Sequence, residues 1–182
     1  MSLIVSVFIA TSLDGFIARE NDSLDWLDDA NKTLPIGEDC AYEKFMQGVD
    51  ALVMGRHTYE KVLTFKQWPY KNKRVIVLSS TKLKIPNDLS TYIEHSSLSG
   101  KELCASLEKE GLKRICVDGG ITIQRFLSAK LIKDLTLTII PVLIGKGKPL
   151  FSSLIKDIKL KLQNTKAYDF GFVQMKYQII EQ

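Results

Sequence analysis

Short apolar runs of strand length alternate along this sequence with segments of helical pattern, and that alternation limits the fold more than any other feature. The runs are Leu3–Ala10, Asp50–Met54, Arg74–Leu78, Arg114–Val117 and Lys133–Ile140. Between them the pattern predicts helices at Asp39–Gln47, Thr58–Leu63, Gly100–Glu110 and Thr122–Ala129. Ser99 stands three residues ahead of Glu102, a capping-box start for the third helix, and Leu103 with Leu107 gives that helix an apolar face. Successive strand–helix units with apolar strands argue for a largely parallel sheet covered on both faces. The C-terminal stretch differs. Ile158–Gln163 alternates strictly and Gly171–Ile180 loosely, which predicts an antiparallel pair with one wet face at the sheet edge. Lysines on the first of the pair blunt an exposed edge. The expected fold is α/β: a three-layer α/β/α sandwich with a mixed, mainly parallel central sheet and antiparallel C-terminal strands. No repeat or linker-like stretch breaks the 182 residues, so one domain spanning 1–182 is expected.

Composition removes several function classes. A chain 45% hydrophobic and 25% charged is that of a globular protein, not a disordered or collagenous one. The net charge of +4 is spread along the chain, without the clustered basic surface of a nucleic-acid binder. No apolar run approaches the roughly 18 residues that span a bilayer. Leu3–Ala10 lacks a preceding basic region and runs into Thr11-Ser12-Leu13-Asp14-Gly15, so it is a buried strand and not a secretory signal. Cys40, Cys104 and Cys116 show no metal-ligand spacing, and the chain has only two histidines, His57 and His95. No metal site is expected, and three reduced cysteines suit a cytoplasmic protein.

Three junctions where an apolar strand turns directly into a polar or helical segment carry the chemical information, because ligands of open α/β sheets gather at the carboxyl ends of strands. In Met54-Gly55-Arg56-His57-Thr58, Gly55 lets a ligand approach the backbone, while Arg56, His57 and Thr58 offer a charge, a ring N–H and a hydroxyl. In Leu78-Ser79-Ser80-Thr81-Lys82, three hydroxyls and a lysine follow the strand end, the donors that a dinucleotide 2′-phosphate requires. In Val117-Asp118-Gly119-Gly120, two glycines before a helix permit positive φ and close backbone approach. The G-x-G-x-x-G fingerprint and the G-x-x-x-x-G-K-[ST] loop are both absent, since Gly145-Lys146-Gly147-Lys148 continues into Pro149. A Rossmann dehydrogenase and a P-loop NTPase are thereby disfavoured.

In this order the three junctions resemble blocks of the dihydrofolate reductase superfamily. The same holds for Phe8–Ala18, for Leu24-Asp25-Trp26 and for Gln124-Arg125-Phe126-Leu127. Within it, Thr11–Ile17 and especially Ile140–Phe151 look most like the reductase (C-terminal) domain of bifunctional riboflavin-biosynthesis deaminase–reductases and its stand-alone relatives. The resemblance covers essentially the whole chain. It implies NADPH as cofactor, with Ala10 and Ile17 at the nicotinamide carboxamide and Gly55, Arg56, His57 and Thr58 at the pyrophosphate and adenosine phosphate. It places Ser79, Ser80 and Lys82 on the 2′-phosphate side, Gly119 and Gly120 under the nicotinamide and pyrophosphate, and Asp14–Trp26 as a mobile lid.

Reduction of a C=N bond or an open-chain sugar carbonyl needs a proton beside the hydride, and a carboxyl in an apolar pocket has its pKa raised into a useful range. Counting back from Met54, the resemblance puts the helix acid at Asp39; counting forward from Trp26 lands on Asn31. Asp118, which borders the glycine pair, is the alternative. Lys73 stands where folate-reducing enzymes carry an arginine for the folate carboxylate, and a lysine cannot make the same fork. The H-x-E…P-C-x-x-C zinc pattern of a deaminase is missing. The expected function is an NADPH-dependent reductase of a small pterin- or pyrimidine-like heterocycle or of a ribosyl-to-ribityl precursor. The alternative is a nucleotide-binding or regulatory module of the same fold without turnover. The expected partners are a small-molecule substrate and a second copy in a homodimer, with no nucleic acid and no membrane.

Overall fold

Alternation at period two sorts the side chains of each apolar run onto two faces, and both faces are covered. The computed structural model describes residues 2–70, 73–152, 154 and 156–181. Its strands are β1 (Ile4–Ser12), β2 (Phe16–Ala18), β3 (Ala51–Gly55), β4 (Arg74–Leu78), β5 (Ile93–Ser96), β6 (Arg114–Asp118), β7 (Asp134–Ile140), β8 (Lys148–Pro149), β9 (Lys159–Ala167) and β10 (Val173–Glu181). Its α-helices are α1 (Asp25–Asn31), α2 (Tyr42–Gln47), α3 (Arg56–Val62), α4 (Gly100–Lys109) and α5 (Gly120–Ser128).

Among the described residues, eight strands form one sheet in the order β5-β4-β3-β6-β1-β7-β10-β9, and β2 pairs with β8 apart from it. Neighbours from β5 through β7 in that order run parallel. β10 runs antiparallel to β7, with Met175 opposite Leu137, and β9 runs antiparallel to β10. This is the mixed, mainly parallel sheet expected from the sequence.

On one face, Val5, Val7, Val53, Ile115 and Val117 pack under Leu103 and Leu107 of α4 and under Ile123, Phe126 and Leu127 of α5. On the other, Leu52, Met54, Val75, Val77 and Cys116 pack under Met46 of α2 and Tyr59 of α3. Full burial of each such side chain contributes about 1.5–3 kcal/mol, so the central strands are the stable part of the molecule. The capping box opens α4 as expected: Ser99 Oγ accepts from Glu102 N, and the Glu102 carboxylate accepts from Ser99 N at 2.9 Å.

The elements differ from expectation in three places. The helix expected from Asp39 starts only at Tyr42, because Cys40 and Ala41 hold φ of 53° and 62°, left-handed values that a right-handed helix cannot contain. β5 has no apolar run to announce it, because only Ile93 of its four residues is buried. Finally β9, expected to have one wet face, is exposed along its whole length. It is the edge strand, and no described helix reaches across it.

Candidate active site

The carboxyl ends of β1, β3, β4 and β6 frame one cavity of about 880 Å³. β3, β4 and β6 deliver their site residues at or just past their last paired positions, whereas Ala10 of β1 is still paired with Thr138 of β7. Ala10 and Ile17, Gly55 to Thr58, Ser79 and Ser80, and Gly119 with Gly120 all line this cavity. Residues far apart in sequence thus share one wall, because β6 lies between β3 and β1 in the sheet.

The glycines are set by contact. A Cβ on Gly119 would overlap Thr58 Oγ1, and the residue also holds φ of +88°. A Cβ on Gly55 would lie 2.7 Å from Thr122 Oγ1, and one on Gly120 would lie 2.9 Å from Ile17 Cδ1. At all three the space a side chain would need is already taken by the protein's own atoms.

At the β4 end the wall is polar. Arg56 donates from Nη1 to Thr81 Oγ1 at 2.8 Å and from Nε to Glu60 at 2.6 Å. Ser79 Oγ donates to Thr81 O at 2.7 Å and accepts from Thr81 N at 3.1 Å, which closes a tight hydroxyl turn. His57 is exposed, with Nδ1 3.9 Å from Glu60. Lys82 does not line the cavity; Thr81 does.

Asp118, which directly precedes the glycine pair, is half-buried and lines the cavity. Its Oδ1 accepts from Gly119 N at 2.7 Å and its Oδ2 from the Tyr70 hydroxyl at 3.3 Å. Enclosure by protein pushes the Asp118 carboxyl above the usual carboxylate range, against the pull of those two donors. Burial, with the Asp118 carboxyl beside it, likewise raises the Tyr70 phenol, so Tyr70 stays a neutral donor. Leu24, Leu27, Val62 and Phe65 complete the apolar part of the lining.

The structure does not bring Asp39 to this cavity. Asp39 is exposed and lies ahead of α2, its Oδ2 accepting from Glu43 N in the first turn at 2.7 Å. Lys73 is also elsewhere, donating from Nζ to Val49 O at 2.6 Å, while Lys71 and Asn72 of the same loop lie outside the described residues. Sequence reasoning missed Tyr70, Leu27 and Phe65. Leu27 sits in a helix of only seven residues, and the other two lie in the irregular stretch after α3, where no periodicity marks a position.

The roof is the chain around β2. Leu13 N donates to Val142 O at 2.8 Å, Leu150 N donates to Gly15 O at 3.0 Å, and Phe16 pairs with Pro149. Asp14 fastens the two segments: its carboxylate accepts from Ser12 Oγ at 2.6 Å and from Gly145 N at 2.7 Å. The Ser12 hydroxyl, helped by the Gly145 and Ile144 amides, holds the Asp14 carboxyl below its ordinary range. Lys148 pairs with Asp22 at the rim. Among the described residues no cluster of three or more His, Cys, Asp or Glu is placed to hold a metal, and no helix is long and apolar enough to cross a membrane.

The family model of the RibD C-terminal domain matches residues 4–174. The chain belongs to that family. The uncharacterized protein YwjB of Bacillus subtilis (strain 168) is 36% identical to this RibD C-terminal domain protein over 175 residues, 94% of this chain and 95% of YwjB. A crystal structure from Shewanella sp. PV-4, assigned provisionally to riboflavin biosynthesis, superposes with a TM-score of 0.92 at 35% identity, covering 98% of this chain and 100% of that one. Dihydrofolate reductase from Enterococcus faecalis, complexed with NADP(H), superposes with a TM-score of 0.65 at 18% identity, covering 98% of this chain and 97% of that one. The fold is therefore dihydrofolate reductase-like, and family and fold together are those of an oxidoreductase.

Proposed function

We propose that this protein is an NADPH-dependent reductase of a small heterocyclic substrate, pterin- or pyrimidine-like, or of a ribosyl-to-ribityl precursor. One observation carries the proposal: glycines, hydroxyls and a guanidinium line one cavity together with an enclosed carboxylic acid. The cavity suits a dinucleotide in size and lining: at about 880 Å³ it sets the backbone of Gly55, Gly119 and Gly120 beside Arg56, Thr58, Ser80 and Thr81. The Enterococcus faecalis reductase of the same fold is complexed with NADP(H), which supports the same choice.

Arg56, Thr58, Ser80 and Thr81 would hold the phosphates, and Ala10 with Ile17 would hold the nicotinamide end. When bound, NADPH supplies a hydride. Asp118 holds the proton: its raised pKa favours the acid form, and Tyr70 orients its Oδ2. Leu24, Leu27, Val62 and Phe65 exclude water from the reacting end, which strengthens the Asp118 interaction. This assigns to Asp118 the role that the resemblance put at Asp39. An acid placed in the cavity favours turnover over a module that only binds nucleotide.

The test is titration with NADPH and NADH, followed by tryptophan fluorescence, and steady-state NADPH oxidation with dihydrofolate and with the pyrimidine intermediate of riboflavin synthesis. Micromolar NADPH binding and turnover of one of the two substrates are expected. Absence of binding by either dinucleotide would end the proposal.

A further inference from the structure

The hydroxyl turn after β4 is held from outside the cavity by a residue that does not face the ligand. β5 lies parallel beside β4, with His95 opposite Val77 and Ser96 opposite Leu78. From there Ser96 O accepts from Ser79 N at 3.0 Å, and His95 Nε2 lies 2.8 Å from Ser79 O. A carbonyl oxygen only accepts, so Nε2 carries the hydrogen and donates. The Ser79 hydroxyl is already engaged inside the turn, as donor to Thr81 O and acceptor from Thr81 N. The turn therefore presents Ser80 and the Thr81 hydroxyl to the cavity beside the Arg56 guanidinium, and besides the backbone bond from Ser79 N to Ser96 O it is pegged by two side chains. Arg56 pegs Thr81 from the cavity side, and His95 pegs Ser79 from behind. His95 is not among the residues that line the cavity.

We infer that His95 is a positioning residue for dinucleotide choice: by fixing the Ser79 carbonyl it sets the turn that reads a phosphate monoester on the adenosine ribose. The inference rests on the NADPH proposal above. Its physical basis is the geometric demand of phosphate recognition. A monoester takes several hydrogen bonds at once, and a donor displaced by a fraction of an ångström loses its share. A free ribose hydroxyl makes fewer such demands, so NADH binding is indifferent to the brace. Basic residues alone would attract any dinucleotide; a pre-shaped turn is what separates the two.

The test compares NADPH and NADH dissociation constants, measured by tryptophan fluorescence, for the wild type, His95→Ala and His95→Gln. Loss of one hydrogen bond of ordinary net strength corresponds to roughly three- to tenfold in affinity. NADPH binding is expected to weaken by about that factor in His95→Ala while NADH binding stays within about twofold. Glutamine carries an amide N–H able to reach the same carbonyl, so His95→Gln should retain the preference. Equal weakening of both dinucleotides would show a general structural role and overturn the inference. A wild-type NADPH preference that persists undiminished in His95→Ala would overturn it while leaving the NADPH proposal standing. Equal wild-type affinity for both dinucleotides would sink the proposal and the inference together.

Discussion

Asp118 is a single carboxyl whose neighbours set its chemistry. Its enclosure favours the protonated form, although Gly119 N and the Tyr70 hydroxyl both favour the ionised one. Asp118→Asn preserves shape and one acceptor but has no acidic proton, so turnover should fall about 100-fold or more while NADPH affinity stays nearly constant. Steady-state kinetics beside a binding titration separates the two effects. In the wild type the acid form is the active one, so kcat should decline as pH rises through the raised pKa. The stability sign follows the same shift. A carboxyl whose folded-state pKa is raised contributes its full stability below the unfolded value, and that stability is lost as pH climbs through the folded one. Asp118→Asn never ionises, and its melting temperature should therefore gain on the wild type toward alkaline pH. Tyr70→Phe removes a donor that lowers the Asp118 pKa. Its kcat–pH profile should have the falling limb displaced to higher pH, with a loss of about three- to tenfold at the optimum. None of this pairing is visible in sequence, since Tyr70 and Asp118 are 48 residues apart and Tyr70 lies in an unpatterned loop.

At the level of elements, the strand-to-helix corners are legible in the sequence and the irregular connections are not. Gly119-Gly120 before an apolar helix announces a turn with positive φ, and Gly119 holds φ of +88° there. Gly119→Ala would meet both that backbone conformation and the Thr58 hydroxyl. We expect a loss of about 1–3 kcal/mol in denaturant unfolding, together with loss of dinucleotide binding, because the turn must shift away from the wall. By contrast, periodicity alone overextends the helix toward Asp39. The apolar pattern continues back from Met46 through Tyr42, but two left-handed residues, Cys40 and Ala41, break it before Asp39 is reached. Neither is glycine or asparagine, so nothing in the residue types marks the break. Asp39 then accepts from Glu43 N in the first turn of α2 and serves local structure. β5 is invisible for a related reason: a short strand at the sheet margin buries one residue and needs no apolar run.

At the scale of the whole molecule, the cavity gathers β1, β3, β4 and β6 with the roof around β2 and β8, so ligand binding and global folding are linked. NADPH at about 100 times its Kd should add about 2.7 kcal/mol by mass action. For a chain of 182 residues that corresponds to a rise of roughly 5–10 °C in Tm, measurable by thermal shift, with a smaller rise for NADH at the same concentration. Fold class, the two-sided burial of the parallel strands, the antiparallel C-terminal pair and the strand-end residues of the cavity wall are all open to inspection in the linear chain. They depend on local periodicity and on residue types at strand ends, which act over a few positions. The enclosure of Asp118, its tyrosine partner and the histidine behind the hydroxyl turn come only with the folded chain. Each depends on which strands become neighbours, and strand order is set by the packing of the whole sheet rather than by any short stretch of residues.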